Sequence, residues 1–341
     1  MSNSDSDGIP KPQQPLHPSV VATLDPEYVA FHNKYLQYVQ PAHTRPWGPE
    51  SRKPPPPGAS PRTETDPLVV GRTQDWNVGH AKVRAYTPVG ERPEGGWPVI
   101  LFIPGGGWVY GGIENQASLS TNMCIRAKCV VVSLDHRLAP EDPYPAALED
   151  AIDALKWLSE NGSILLNVNT NKIAVGGCSS GGNLAAILAL KATQLNPQIP
   201  LMFQLLLVPA VDNTASTDTF WNSNRHAPYF TPETVVYYRR LYLPNEQDWS
   251  LWQASPILAP RDLLNKAPKT WIMVAGADLL REEGERYGEI LKDVGVSAEV
   301  KVYEGAPHAA LVMDGTMQIG RTMITDAVNA LAQAFEAVDN A

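Results

Sequence analysis

The stretch Gly176-Gly177-Cys178-Ser179-Ser180-Gly181-Gly182 constrains this chain more than any other part of it. An apolar, β-branched run ends at Val175, and an Ala/Leu-rich helical pattern starts at Asn183. Strand, turn and helix therefore follow one another with almost nothing between them. Glycines crowd both sides of the turn, which lets it be tight and pushes the hydroxyl at its apex outward. The pattern is G-x-S-x-G, and the strand-turn-helix setting is what makes Ser179 a candidate nucleophile. A tight turn with an incidental serine is the simpler alternative.

Around that turn the chain alternates between two periodicities. Short β-branched or apolar runs predict strands at 69–70, 81–86, 98–103, 129–134, 172–175, 203–208, 270–275 and 298–303. Helical spacing predicts helices over 117–128, 146–161, 183–195, 282–294 and 317–338. Strands apolar on both faces and separated by helices imply a mostly parallel central sheet flanked by helices, with right-handed crossovers. Three stretches fall outside this rhythm. The first, to about residue 24, is expected to be disordered if isolated, and Asp25-Pro26-Glu27 then reads as a capped helix start. Pro54-Pro55-Pro56-Pro57-Gly58 reads as a connector. Residues 212–252 carry many aromatics and no strand pattern, so they read as a cap insertion. The expected organisation is an N-terminal segment with a cap helix (1–50), a catalytic domain (51–211 and 253–341) and the cap insertion.

A serine hydroxyl is a weak nucleophile, so it needs a base, and the base needs an orienting acid. On a fold of this kind the order is serine, acid, histidine. Only His226 and His308 follow Ser179. His226 lies in the aromatic insertion, whereas His308 follows the strand expected to end at Tyr303, where such sheets collect functional groups. Asp278 follows the strand over 270–275; Glu282, Glu283 and Asp212 are rival acids, and helix capping is the rival role for Asp278. Gly105-Gly106-Gly107 after an early strand, and Ser180 after the nucleophile, offer peptide N–H groups for a developing oxyanion. Neither nucleotide-binding glycine motif is completed here.

Composition narrows the partners. The 341 residues carry a formal net charge of -9, with 43% apolar and 18% charged residues, as in a well-cored globular protein with no general attraction for nucleic acid or anionic lipid. Three cysteines with no C-x-x-C pair give neither a disulfide framework nor a zinc site. The polar, acidic start and the lack of a long apolar run predict no secretory signal and no stable membrane insertion. A cytoplasmic location follows as the expectation, with the sequon at Asn161-Gly162-Ser163 unused.

Together these motifs resemble the hormone-sensitive-lipase-like carboxylesterases of the α/β-hydrolase superfamily, which include arylacetamide-deacetylase-like enzymes. The carrying residues are Pro104-Gly105-Gly106-Gly107-Trp108, Asp135-His136-Arg137-Leu138-Ala139-Pro140-Glu141 and Gly177-Cys178-Ser179-Ser180-Gly181-Gly182. The resemblance implies an α/β-hydrolase fold with a helical cap. It implies Ser179, Asp278 and His308 as catalytic triad, an oxyanion hole of Gly106, Gly107 and Ser180, and structural roles for Arg137 and Glu141. Four departures stand out. Pro104 replaces a histidine that can brace the glycine loop, Cys178 replaces an aspartate, Leu279 replaces a proline, and Ala309-Ala310 replace Gly-Phe. Cys178 reads as a small buried filler, the alternative being a thiol that makes activity reagent-sensitive.

The implied reaction is hydrolysis of a small-to-medium, apolar carboxylic ester through an acyl-enzyme, with no metal or cofactor. Trp108, Tyr110, Trp221, Tyr229 and Phe230 are candidate substrate-binding residues. An amide, lactone or lactam is the alternative substrate, and a non-catalytic ligand receptor the alternative class, which the retained triad residues disfavour. A homodimer is left open.

Overall fold

A computed structural model describes residues 11–53 and 61–339. The polyproline connector and the acidic first residues lie outside the described residues. In chain order come α1 (Pro18–Val21), α2 (Pro26–Lys34), β1 (Arg72–Val78), β2 (Ala81–Thr87), β3 (Trp97–Ile103), α3 (Ala117–Arg126), β4 (Val130–Asp135) and α4 (Ala146–Leu165). Then follow β5 (Val168–Cys178), α5 (Ser180–Ala192), β6 (Phe203–Leu207), α6 (Pro232–Tyr242), α7 (Arg261–Leu264), β7 (Lys269–Ala277), α8 (Arg281–Asp293), β8 (Ala298–Pro307) and α9 (Gln318–Asp339). The eight strands form one sheet in the order β1-β2-β4-β3-β5-β6-β7-β8. The β1–β2 and β2–β4 pairs are antiparallel, and all later pairs are parallel. This is the α/β-hydrolase fold.

Period-two alternation distributes the strand side chains between two cores. Val99, Leu101, Ile103, Val132, Val175, Leu206 and Val274 point to the face covered by α4, α5 and α8. Ile100, Phe102, Val131, Ala174, Leu205, Leu207 and Met273 point to the face covered by α3 and α9. Both faces are covered, which is why the strands read as unbroken apolar runs.

Three of the differences from the sequence expectation have a physical reason. Residues 69–70 are not a strand: Val69 is 88% exposed, while the first strand is the polar Arg72–Val78 beside it. An edge strand with one solvated face lacks the apolar run that marks interior strands. β5 continues through Gly176 and Gly177 to Cys178, because those glycines sit in the ladder rather than in the turn. β8 runs on to Pro307, pairing with Ala277 beyond a bulge at Gly305, whose φ is 77°.

The N-terminal segment and residues 212–252 pack together over the site. Asp25 caps α2, its Oδ1 accepting the Glu27 N–H at 2.8 Å, and its own N–H donates to Gly305 at 3.0 Å. His43 Nδ1 lies 3.1 Å from Thr234 Oγ1, and the Tyr237 hydroxyl donates to Arg45 C=O at 3.2 Å. Arg52 donates to the carbonyls of Val109 and Ala139, fastening the segment beside the glycine loop. Among the described residues no helix is long and apolar enough to cross a membrane.

Candidate active site

One residue makes the reversal from β5 to α5. Ser179 sits at φ 55°, ψ -117°, a region that residues with a side chain avoid, so the surroundings must hold it there. They do so through its N–H, which donates to Leu207 C=O at 2.8 Å, and its C=O, which accepts from Asn183 at 3.0 Å. The neighbouring glycines supply the space. A Cβ on Gly177 would meet Gly181 O at 2.2 Å, and one on Gly181 would meet Ile103 O at 2.0 Å.

His308 follows directly on β8, opening the 3-10 turn His308–Val312. Its Nε2 is 2.9 Å from Ser179 Oγ, and its Nδ1 is 2.7 Å from Asp278 Oδ2. Asp278 is buried at the end of β7, and its second oxygen accepts the Leu280 N–H at 3.1 Å. Orienting and local-turn roles are thus divided between its two oxygens. Asn224, from the insertion, donates to the carbonyls of Gly276 and Asp278 at 3.2 and 2.8 Å, and so fixes the loop that carries the acid. Hydroxyl, imidazole and carboxylate, contributed by three strand ends, stand in one hydrogen-bonded line. Such a line can draw the hydroxyl proton onto imidazole while the carboxylate holds the ring.

Among the described residues, none of the rivals is hydrogen-bonded to Ser179 or His308. His226 stacks on His17 with centroids 3.8 Å apart and lines neither of the cavities that contain Ser179. Glu282 pairs with the Ser223 hydroxyl. Glu283 is buried and accepts N–H groups from Val211 at 2.8 Å, Asp212 at 3.3 Å and Trp221 Nε1 at 3.1 Å. Burial pushes its carboxyl up to about 8, against the pull of the Trp221 N–H. Asp212 Oδ1 is engaged by the Thr214 N–H and hydroxyl at 2.7 and 2.6 Å.

The glycine loop lies against the serine: a Cβ on Gly105 would stand 3.3 Å from Ser179 Cβ. Gly106 and Gly107 have φ of 150° and 62°, and a Cβ on Gly106 would meet Tyr110 O at 2.1 Å. Ser180 opens α5, so its N–H is one of the unpaired donors at that helix start. With Pro104 unable to brace this loop, Gln116 stands in. It is the left-handed residue before α3, and its Oε1 accepts the Gly105 N–H at a long 3.4 Å. No sequence motif marks Gln116. Burial pushes the Cys178 thiol up to about 12, so the filler reading suits it better than a reactive thiolate. Arg137 donates to Asp150 and Ala146, and Glu141 pairs with Arg52, both as supports.

Space around Ser179 divides into two arms. The arm bearing His308 holds about 260 Å³ and is lined by Glu64, Gly106, Tyr110, Phe230 and Leu311 among others. It leads to an outer cleft of about 600 Å³ between the N-terminal segment and the insertion, with Tyr110, Tyr229, Phe230 and Tyr238 common to both. The other arm, bounded by Trp108, Ser180, Asp212, Arg239 and Glu283, holds only about 10 Å³. A separate hollow of about 510 Å³ near Lys269, Glu299 and Asp326 contains none of these groups.

Of the expected substrate-binding residues, Tyr110 lines the wide arm and Trp108 the narrow one, the latter stacked on Tyr242 at 4.7 Å. Tyr229 faces the wide arm and the cleft. Phe230 lies flat on the imidazole of His308, centroids 4.2 Å apart and planes within 6°. Trp221 lines neither arm and corrects the expectation. It is buried, its N–H bound to Glu283 and its ring under the Arg239 guanidinium at 4.8 Å. Leu279, where proline was expected by resemblance, is buried among Trp221, Val235 and Ala227 and ties the acid loop to the insertion.

A family model described as the alpha/beta hydrolase fold matches residues 100–312. The chain is 42% identical over 331 residues to an AB hydrolase superfamily protein of Schizosaccharomyces pombe, covering 94% of this chain and 97% of that one. It is 36% identical over 241 residues to the esterase LipI of Mycobacterium tuberculosis, covering 68% and 71% of the two chains. Among solved structures, a Pyrobaculum calidifontis esterase superposes with a TM-score of 0.71 at 32% identity, over 78% of this chain and 86% of that one. On its fold and on these relatives, the chain belongs to the α/β-hydrolase family and is a hydrolase.

Proposed function

We propose that this protein is a serine carboxylesterase, with Ser179 as nucleophile, His308 as general base and acid, and Asp278 as the group that orients the imidazole. The observation that carries the reading is the pair of contacts on one ring, 2.9 Å to the Ser179 hydroxyl and 2.7 Å to the Asp278 carboxylate. Ser179 Oγ attacks the ester carbonyl carbon as its proton passes to His308 Nε2. The carbonyl oxygen becomes an oxyanion beside the N–H groups of Gly106, Gly107 and Ser180. The C–O bond to the alcohol then breaks, and the proton on Nε2 goes to the departing oxygen. Water repeats the sequence on the acyl-enzyme, releasing the acid and restoring the serine.

Proton delivery assigns the two arms. The leaving oxygen must reach His308, so the alcohol lies in the arm that His308 lines. The acyl group then points into the narrow arm, whose void has room for roughly one water. A short acyl chain on a larger alcohol is the ester that fits. On this reading the N-terminal segment and residues 212–252 form the cap.

The test is turnover of a p-nitrophenyl ester series by wild type and Ser179→Ala. We expect acetate to exceed octanoate in kcat/KM for wild type, and the variant to lose at least about 1,000-fold. Equal rates in the two proteins would end this reading.

A further inference from the structure

We propose that Glu64 is a specificity-determining residue of the alcohol arm, selecting esters whose leaving alcohol carries a positively charged amine. The inference rests on the serine-esterase reading for the assignment of that arm. Glu64 lines the same cavity as Ser179 and His308, together with Gly105, Gln116 and Cys178. Among the described residues, everything else that lines this arm is neutral or aromatic, apart from the catalytic imidazole itself. The Glu64 carboxyl is half-buried, and among the described residues it has no hydrogen-bond or ion-pair partner.

Its backbone, by contrast, is held on both sides. Thr63 C=O accepts the Gly315 N–H at 2.8 Å. The Thr65 N–H donates to Asp314 Oδ1 at 3.2 Å, and its hydroxyl lies 2.8 Å from Ser118 Oγ. A Cβ on Gly315 would stand 3.0 Å from the Glu64 carbonyl carbon, so the segment packs closely on that turn. Among the described residues the carboxyl is therefore unpartnered, on fixed backbone, in the space the alcohol would occupy. An ion held partly out of water with no partner gains most when a counter-charge enters. Phe230, Tyr229, Tyr110 and Tyr238 add aromatic faces to the same arm, which also attract a cationic amine.

Among the described residues, the other charged and titratable groups that face Glu64 are Asp314 from the turn after His308–Val312, Arg62 on its own segment, Cys178 at the end of β5, His308 across the cavity and the phenols of Tyr110, Tyr229 and Tyr238. Burial, with Asp314 adding and Arg62 opposing, raises the Glu64 carboxyl to about 7. The sign follows directly. Below that pH the group is neutral and discriminates little; above it the carboxylate is present and cation preference grows.

The test uses two acetate esters of matched shape, one of a trimethylammonio-ethanol and one of 3,3-dimethylbutanol. The readout is the ratio of their kcat/KM values, so general damage to the cavity cancels. We expect the wild-type ratio to exceed one at pH 8, to fall toward pH 6, and to drop about tenfold at pH 8 in Glu64→Gln. Glu64→Asp should recover part of the ratio, and the exposed control Glu91→Gln should leave it alone. A wild-type ratio below one, or one that Glu64→Gln does not change, overturns the proposal. Binding of the free trimethylammonio-alcohol to Ser179→Ala protein, by calorimetry with and without Glu64→Gln, reads the same contact without turnover. It separates failure of this inference from failure of the esterase reading.

Discussion

At the scale of single residues, the proposed chemistry depends on a hydroxyl, a ring and a carboxylate that lie far apart in the chain. If Asp278 only orients the imidazole, Asp278→Asn leaves binding nearly intact and lowers kcat by about 10,000-fold, a split visible in Michaelis–Menten fits. Phe230 presents its flat face to His308. Phe230→Ala should reduce kcat/KM by roughly three- to tenfold on small esters while the fold stays native, because the ring loses its backing and the imidazolium a favourable π face. That Ser179, Asp278 and His308 meet beside the glycine loop is legible in the sequence because each follows a strand, and chain order leaves few rivals. Gln116, Glu64 and Asn224 are not, since no local pattern distinguishes a polar residue that ends up beside the site. Trp221 shows the reverse failure. Its place among the insertion's aromatics gives no sign that its N–H is bound to a carboxylate across the fold.

At the scale of elements, α8 and the insertion are joined by the adjacent carboxyls of Glu282 and Glu283, the second of them buried. Glu283 is the acceptor for two backbone N–H groups and the Trp221 indole, and burial draws the nearby Arg239 down to about 10. Glu283→Leu strands three buried donors, so unfolding in urea should show a loss of roughly 3–5 kcal/mol. Loss near zero would mean that water replaces the carboxyl. Most helices and interior strands follow from periodicity, but β5 and β8 run on past the apolar signal. In β5 the glycines read as turn residues although they stay in the ladder, and in β8 the chain bulges at Gly305 and pairs again at Pro307, because pairing with neighbours outweighs local preference. The polar edge strand β1 escapes notice for the opposite reason: it is paired on one side only and carries few apolar side chains.

At the scale of the whole molecule, the parallel part of the sheet is a rigid platform, and the approach to it is built from two remote parts of the chain. Leu24 and Tyr28 of the N-terminal segment pack with Ala277, Met313 and Met317, the neighbours of Asp278 and His308. Deleting residues 1–45 should leave the far-UV circular dichroism of the sheet recognisable, lower the melting temperature and reduce kcat/KM more for bulky than for small alcohols. An unchanged ratio between the two would dissociate the segment from the alcohol arm. The flat contact between Phe230 and His308 has a consequence for turnover. On the serine-esterase reading, the wall behind the proton carrier comes from residues 212–252 and not from the sheet, so a substitution in that insertion can alter bond cleavage as well as the admission of substrate.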